Sequence, residues 1–260
     1  MGKMIRPSFS DKVLNFSLPD SWELLTQEQL RYVLFALVNF NAVEVRTYLF
    51  VRFSGIKVVR HQADGWVCQV KTDKGVEVDF FLHTWQIESF SRCFDFVLES
   101  PRTPQYLHAL GDFEAVDKLL REVPFKEYLA MENCYQGYLC THEDKYLTSI
   151  TTLLYTNQAG RHPHPQSVTP EHRLSSFLWY TAIKHQLMRY FPYLMKPAGE
   201  GEASEIPDMR SVMNAQIRAL TGGDVTKEKE VLSMDCWRAL TELNEKAREQ
   251  QEYNQKYGRK

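Results

Sequence analysis

Apolar residues recur at helical spacing along most of this chain, and this periodicity constrains the fold more than any other feature. Thr26 and Gln29 form a capping box, and the apolar residues that follow line one helix face, on which we place Leu30, Val33 and Leu34. We therefore predict a mainly α fold. Thr84 is the expected cap of one helix and Asp235 that of the last one, and β-branched residues leave a strand open at 42–53. The helices before the last one are expected over residues 27–40, 42–53, 84–97, 113–120, 125–139, 145–155, 171–194 and 209–220.

One segment alternates in the way that is typical of β-strands. Residues 66–70 and 76–82 are short alternating runs joined by a turn that contains Gly75. The sequence leaves open whether residues 56–60 form a third strand. Two or three strands are marginal alone, so this unit needs helices to pack against. The predicted fold class is thus α+β, a helical bundle-like body with an antiparallel hairpin or three-stranded sheet near residues 56–83.

The best linker candidate is the segment KPAGEGEASEIPD at residues 196–208, which is rich in Gly, Pro and acids and has no apolar period. It divides the chain into a mostly helical body at 1–195 and a C-terminal helical appendage at 209–260. We take these three ranges as the predicted domain organisation.

Charge and cysteine content indicate the compartment and limit the partners. The net charge of -2 does not favour a nucleic acid partner. The five cysteines include no C-x-x-C pair, and we interpret them as reduced thiols of a cytoplasmic protein. The opening residues lack the apolar core of a signal peptide, and no apolar stretch is long enough to span a bilayer, so no membrane partner is expected.

Strong catalytic motifs are absent from the sequence. It contains no G-x-x-x-x-G-K-[ST], G-x-G-x-x-G, H-E-x-x-H or G-x-S-x-G pattern. We therefore expect a protein that is not an enzyme and that binds no cofactor and no metal.

Three weaker groups of polar residues remain. Cys134 and Cys140 lie about 240° apart on a helix, so with His142 they do not share a face, and core thiols explain the cysteines better than zinc ligands do. Loop histidines without defined partners are usually solvated. A polar hairpin face explains the acids better than a nuclease core does. The loop histidines are His162, His164 and His172, and the hairpin residues are Asp64, Gln69, Lys71, Glu77 and Asp79.

The C-terminal segment carries apolar stripes that must be buried on the chain's own body, on a second copy or on a partner. We take six residues of these stripes as candidate partner-binding residues. They are Met213, Ile217, Leu220, Trp237, Leu240 and Leu243.

Two segments resemble phage proteins. Residues 18–30, LPDSWELLTQEQL, resemble the opening of several small phage tail-assembly chaperones. Residues 213–223, with Trp237 to Leu240, are similar to the endings of uncharacterised phage and prophage proteins. The resemblance implies a non-enzymatic accessory protein that coats the apolar helices of a tape-measure protein and recruits tail-tube subunits.

The first hypothesis is therefore a protein–protein interaction or assembly factor whose protein partner is a tape-measure or tail protein; a homo-oligomer is open. It predicts that deleting residues 208–260 leaves a folded body that no longer binds its partner. The alternative is a metal-dependent hydrolase or nuclease with a divergent site.

Overall fold

The computed structural model of the chain describes residues 16–71, 75–195 and 208–257. Helices make up 62% of these residues, and two small antiparallel sheets account for the strands, which confirms the mainly α fold with a minor β part. The chain folds as two compact units, Met1–Pro101 and Arg102–Lys260, which we call the N-terminal and C-terminal units.

The first two helices of the N-terminal unit begin and end on local signals. Thr26 accepts the backbone N–H of Gln29 and the Gln29 side chain returns the bond, so the predicted capping box is present. Gly55 ends the second helix at a φ of 68°, a left-handed conformation that suits glycine. These elements are a 3-10 helix (Trp22–Leu24), α1 (Gln27–Asn39) and α2 (Ala42–Ser54).

A three-stranded antiparallel sheet follows, with Gly65–Lys71 as its central strand, so the third strand left open by the sequence is present. Thr84 is the first helical residue after the sheet and not the cap, because the last strand continues to His83 and the Thr84 N–H donates to the Asp64 carbonyl at 3.0 Å. The elements are β1 (Lys57–Gln62), β2 (Gly65–Lys71), β3 (Glu77–His83), α3 (Thr84–Ser91) and a 3-10 helix (Arg92–Leu98).

Aliphatic and aromatic side chains form the core of the N-terminal unit. Trp22 fixes the chain ahead of α1 to this core, because its indole N–H donates to the carbonyls of Phe96 and Glu99, each at 3.0 Å. The most deeply buried members of the core are Val33, Leu34, Ala36, Val45, Leu49, Phe50, Cys68 and Phe94.

Three helices and a second small sheet begin the C-terminal unit. The helix predicted over 113–120 is wrong, because Phe113–Ala115 is the central strand of this sheet and pairs with a strand some forty residues later in the sequence. The elements are β4 (Ala109–Leu110), β5 (Phe113–Ala115), α4 (Phe125–Thr141), α5 (Asp144–Leu154), β6 (Tyr155–Thr156) and α6 (Pro170–Tyr190).

The C-terminal helices belong to this same unit. The predicted linker at 196–208 lies outside the described residues except for Asp208. This residue caps the helix that follows, because its side chain accepts the N–H of Arg210. The sequence placed the domain boundary at 195, whereas the division into compact units falls after Pro101. The helices after residue 208 belong to the second unit because their side chains share one core with those of residues 102–195. These helices are α7 (Met209–Thr221), α8 (Glu228–Ser233) and α9 (Cys236–Tyr257).

Candidate interaction surfaces

The six predicted partner-binding residues pack within the C-terminal unit. Leu240 and Leu243 are buried, and the Trp237 indole N–H donates to the Leu119 carbonyl at 2.6 Å. The other three are half-buried on the same core; they are Met213, Ile217 and Leu220. The sequence pattern correctly marked apolar stripes that need covering, but in this structure the chain's own helices cover them.

Backbone hydrogen bonds attach α9 to the loop before α4. The Cys236 N–H donates to the Val123 carbonyl and the Phe125 N–H donates to the Met234 carbonyl, both at 2.8 Å. Within this loop Leu120 has a φ of 65°, a conformation that is unusual for a non-glycine residue. The loop and the start of α9 therefore hold each other in place.

The cysteines differ in burial. Burial raises the pKa of Cys68 to about 11 and that of Cys236 to about 12, as for buried thiols. Cys134 is half-buried, and desolvation raises its pKa as well. The prediction of a core thiol is wrong for Cys140, which is exposed near the end of α4.

Each loop histidine forms a hydrogen bond with the backbone near it in sequence. The Nδ1 of His162 lies 3.0 Å from the Tyr155 carbonyl oxygen. The Nδ1 atoms of His164 and His172 accept backbone N–H groups at 3.3 and 3.2 Å, the second as part of the cap of α6. Across the described ranges no three or more His, Cys, Asp or Glu side chains form a group that could hold a metal ion.

The polar hairpin residues lie in cross-strand rows. Gln69 donates to Asp79 across β2 and β3 at 3.0 Å, and Lys71 lies opposite Glu77. Asp64 lies at the other end of the strands, in the turn before β2, 3.7 Å from the imidazole of His83. The acids therefore do not converge, as the interpretation of a polar sheet face predicts.

A partly buried polar group in the C-terminal unit was not found from the sequence. Glu132 on α4 accepts the ammonium of Lys184 at 2.8 Å and the hydroxyl of Tyr180 at 3.1 Å, while Gln136 donates to its other oxygen at 3.0 Å. Burial raises the pKa of Tyr180 well above its usual value. Because these partners satisfy the carboxylate, the group orients α4 against α6.

Exposed apolar side chains are concentrated in the N-terminal unit. Of the sixteen exposed large apolar side chains in the described ranges, ten lie in this smaller unit, and four of the other six are tyrosines. The ten are Leu24, Phe35, Val38, Phe40, Val43, Val59, Val76, Trp85, Phe90 and Leu98.

Three aromatic rings meet on the outer side of α1 and α2, and we call them the aromatic patch. The Tyr48 ring centroid lies 5.2 Å from that of Phe40 and 6.0 Å from that of Phe35, and the Phe35 and Phe40 centroids are 5.9 Å apart. Sequence reasoning missed this patch, although the signal was present: Phe35 lies about 100° around the helix from the stripe residue Leu34.

A second exposed aromatic site lies where β3 meets α3. Trp85 is 66% exposed, and its ring stacks on that of His83 at a centroid distance of 6.3 Å. The Phe81 ring contacts the same imidazole edge to face, at a centroid distance of 4.9 Å. These side chains extend the apolar surface of the N-terminal unit beyond α1 and α2.

Within the described ranges, no helix has the length and apolar character needed to cross a membrane. Comparison of the chain with known protein families, curated proteins and solved structures finds no match.

Proposed function

We propose that this chain is a non-enzymatic protein–protein interaction or assembly factor, acting in the cytoplasm in the manner of a phage tail-assembly chaperone. The observation that carries the proposal is the concentration of exposed apolar side chains in the N-terminal unit. Contiguous exposed apolar surface is typical of interaction sites, and aromatic residues are enriched among those that dominate binding.

The N-terminal unit replaces the C-terminal stripes as the proposed binding surface. Leu240 and Leu243 are unavailable while α9 is docked, whereas Phe35, Val43 and Trp85 are exposed in the same structure. A rigid ring such as that of Trp85 loses little side-chain entropy on binding, so it suits the apolar face of a partner helix.

The resemblance to tail-assembly chaperones fits a structural role for its residues. Trp22 is buried, Thr26 caps α1 and Leu30 lies in the core, so the segment builds the unit that carries the exposed surface. The resemblance supplies the partner class: a tape-measure or tail protein with long apolar helices.

Co-expression with the tape-measure protein encoded in the same genome tests this function. We expect the two proteins to co-purify and the tape-measure protein to remain soluble only when this chain is present. The variant Trp85→Lys, which leaves the rings of α1 and α2 unchanged, should reduce the recovered complex at least tenfold. The control Val225→Lys changes a side chain that is 79% exposed in the C-terminal unit and should have no effect. Failure of the unaltered chain to retain the tape-measure protein would contradict the proposal.

A metal-dependent hydrolase or nuclease needs carboxylates that converge on one point, and the hairpin acids Asp64, Glu77 and Asp79 do not. No observation favours this alternative.

A further inference from the structure

We propose that a second copy of this chain covers the outer side of α1 and α2, in a two-fold arrangement centred on Tyr48. This self-association rests on the proposed function, because it assigns one part of the apolar interaction surface of the N-terminal unit to a second copy of the chain. That part is the aromatic patch.

The aromatic patch supplies an apolar centre. Phe35 is 41% and Phe40 is 36% exposed, and the half-buried Tyr48 holds both rings. Aromatic anchors at the middle of a contact usually contribute most of the binding free energy. Burying an apolar centre of this kind against another protein surface is more favourable than leaving it in water.

Two opposite charges flank this centre at equal distances along α2. Glu44 lies four residues before Tyr48 and Arg52 four residues after it, each about 6 Å from Tyr48 along the helix axis. All three residues lie on the same face of the helix. Both charged side chains are exposed. Glu44 accepts the Asn41 N–H at 3.0 Å, and the Arg52 guanidinium lies 4.1 Å from the centroid of the Tyr32 ring. In the part of the chain that the structure describes, neither takes part in an ion pair.

A two-fold contact requires that a surface be complementary to itself. If two α2 helices cross in antiparallel fashion at Tyr48, Glu44 of each copy lies beside Arg52 of the partner subunit, and the pair forms twice. The Tyr32 hydroxyl accepts a hydrogen bond from the Arg52 guanidinium and donates to Glu28 on α1 at 3.4 Å. The charge order along α2 therefore favours a second copy over an unrelated occupant.

Sedimentation velocity on the purified full chain over a concentration series tests the arrangement. We expect a monomer–dimer equilibrium that weakens as salt is added. Glu44→Arg alone and Arg52→Glu alone should each raise the dimer dissociation constant about tenfold, because each turns two attractions into two repulsions. The double variant should restore dimerisation. Glu249→Arg, an equal charge change on exposed α9 surface, is the control and should leave the equilibrium unchanged.

Glu44→Arg also removes the hydrogen bond that the Glu44 side chain accepts in the capping box of α2, so far-ultraviolet circular dichroism must show that the variant is folded. Phe35→Lys avoids the cap and should give a monomer by removing the apolar centre. A chain that is monomeric at all concentrations overturns the proposal, as does a dimer that neither single reversal weakens or a double variant that does not recover. The assay contains no tape-measure protein, so a negative result here leaves the proposed function to its own test.

Discussion

At the scale of single residues, Trp22 links the 3-10 helix ahead of α1 to the core of the N-terminal unit. Trp22→Phe removes the indole N–H that donates to Phe96 and Glu99, and leaves both carbonyls without this donor. We expect the free energy of unfolding to fall by about 1–3 kcal/mol, measured by urea denaturation. Leu24→Ala is the control, since its side chain is 62% exposed and should change stability by less than about 0.5 kcal/mol. Equal effects of the two changes would contradict this role for the indole.

The cysteines offer a prediction with a defined pH dependence. The thiolate is the reactive form, and burial keeps the pKa of Cys68 at about 11 and that of Cys236 at about 12. At pH 8 we therefore expect a thiol reagent to label the exposed Cys140 first, with the two buried thiols labelled only after unfolding in urea. Raising the pH to 9 stays below both raised pKa values, so the order should persist. Peptide mass spectrometry reads the sites, and native labelling of Cys236 as fast as Cys140 would contradict the assignment.

At the scale of elements, the C-terminal helices form part of a core. The sequence predicts that deleting residues 208–260 leaves a folded body, but Leu240 is fully buried against helices before residue 195. We expect this deletion to unfold the C-terminal unit, and Leu240→Ala to cost about 2–5 kcal/mol in chemical denaturation. Val225→Ala, at a side chain that is 79% exposed, should cost almost nothing. A deletion variant with native-like near-ultraviolet circular dichroism would show that the helices are dispensable.

Elements with local signals were predicted correctly from the sequence. The Thr26 capping box and the alternation of residues 66–82 each act within a few positions, and α1 and the hairpin followed from them. The strand at Phe113–Ala115 depends on β6, which lies far along the chain, so its helix-like pattern was misleading. Near the polar end of α9, Arg248 pairs with Glu245 and Glu252, and the helix continues to Tyr257.

The candidate surfaces were harder to predict for the same reason. An apolar stripe shows that a helix face needs covering, but which group covers that face depends on the tertiary structure. The stripe at Leu240 and Leu243 is covered within its own unit, while Phe35, which lies off the predicted stripe, is exposed. Sequence periodicity alone does not distinguish these two outcomes.

At the scale of the whole molecule, each compact unit has its own buried core, which predicts two steps in thermal unfolding. Multidomain chains commonly depart from a single two-state transition. Trp22 and Phe94 lie in the first core, and Leu240 lies in the second. Differential scanning calorimetry should therefore give a calorimetric enthalpy larger than the van't Hoff enthalpy. Trp22→Phe should lower the midpoint of one step and Leu240→Ala that of the other, by about 2–8 °C per kcal/mol lost. If both substitutions shift one common transition, the two cores unfold as a single cooperative structure and the prediction is wrong.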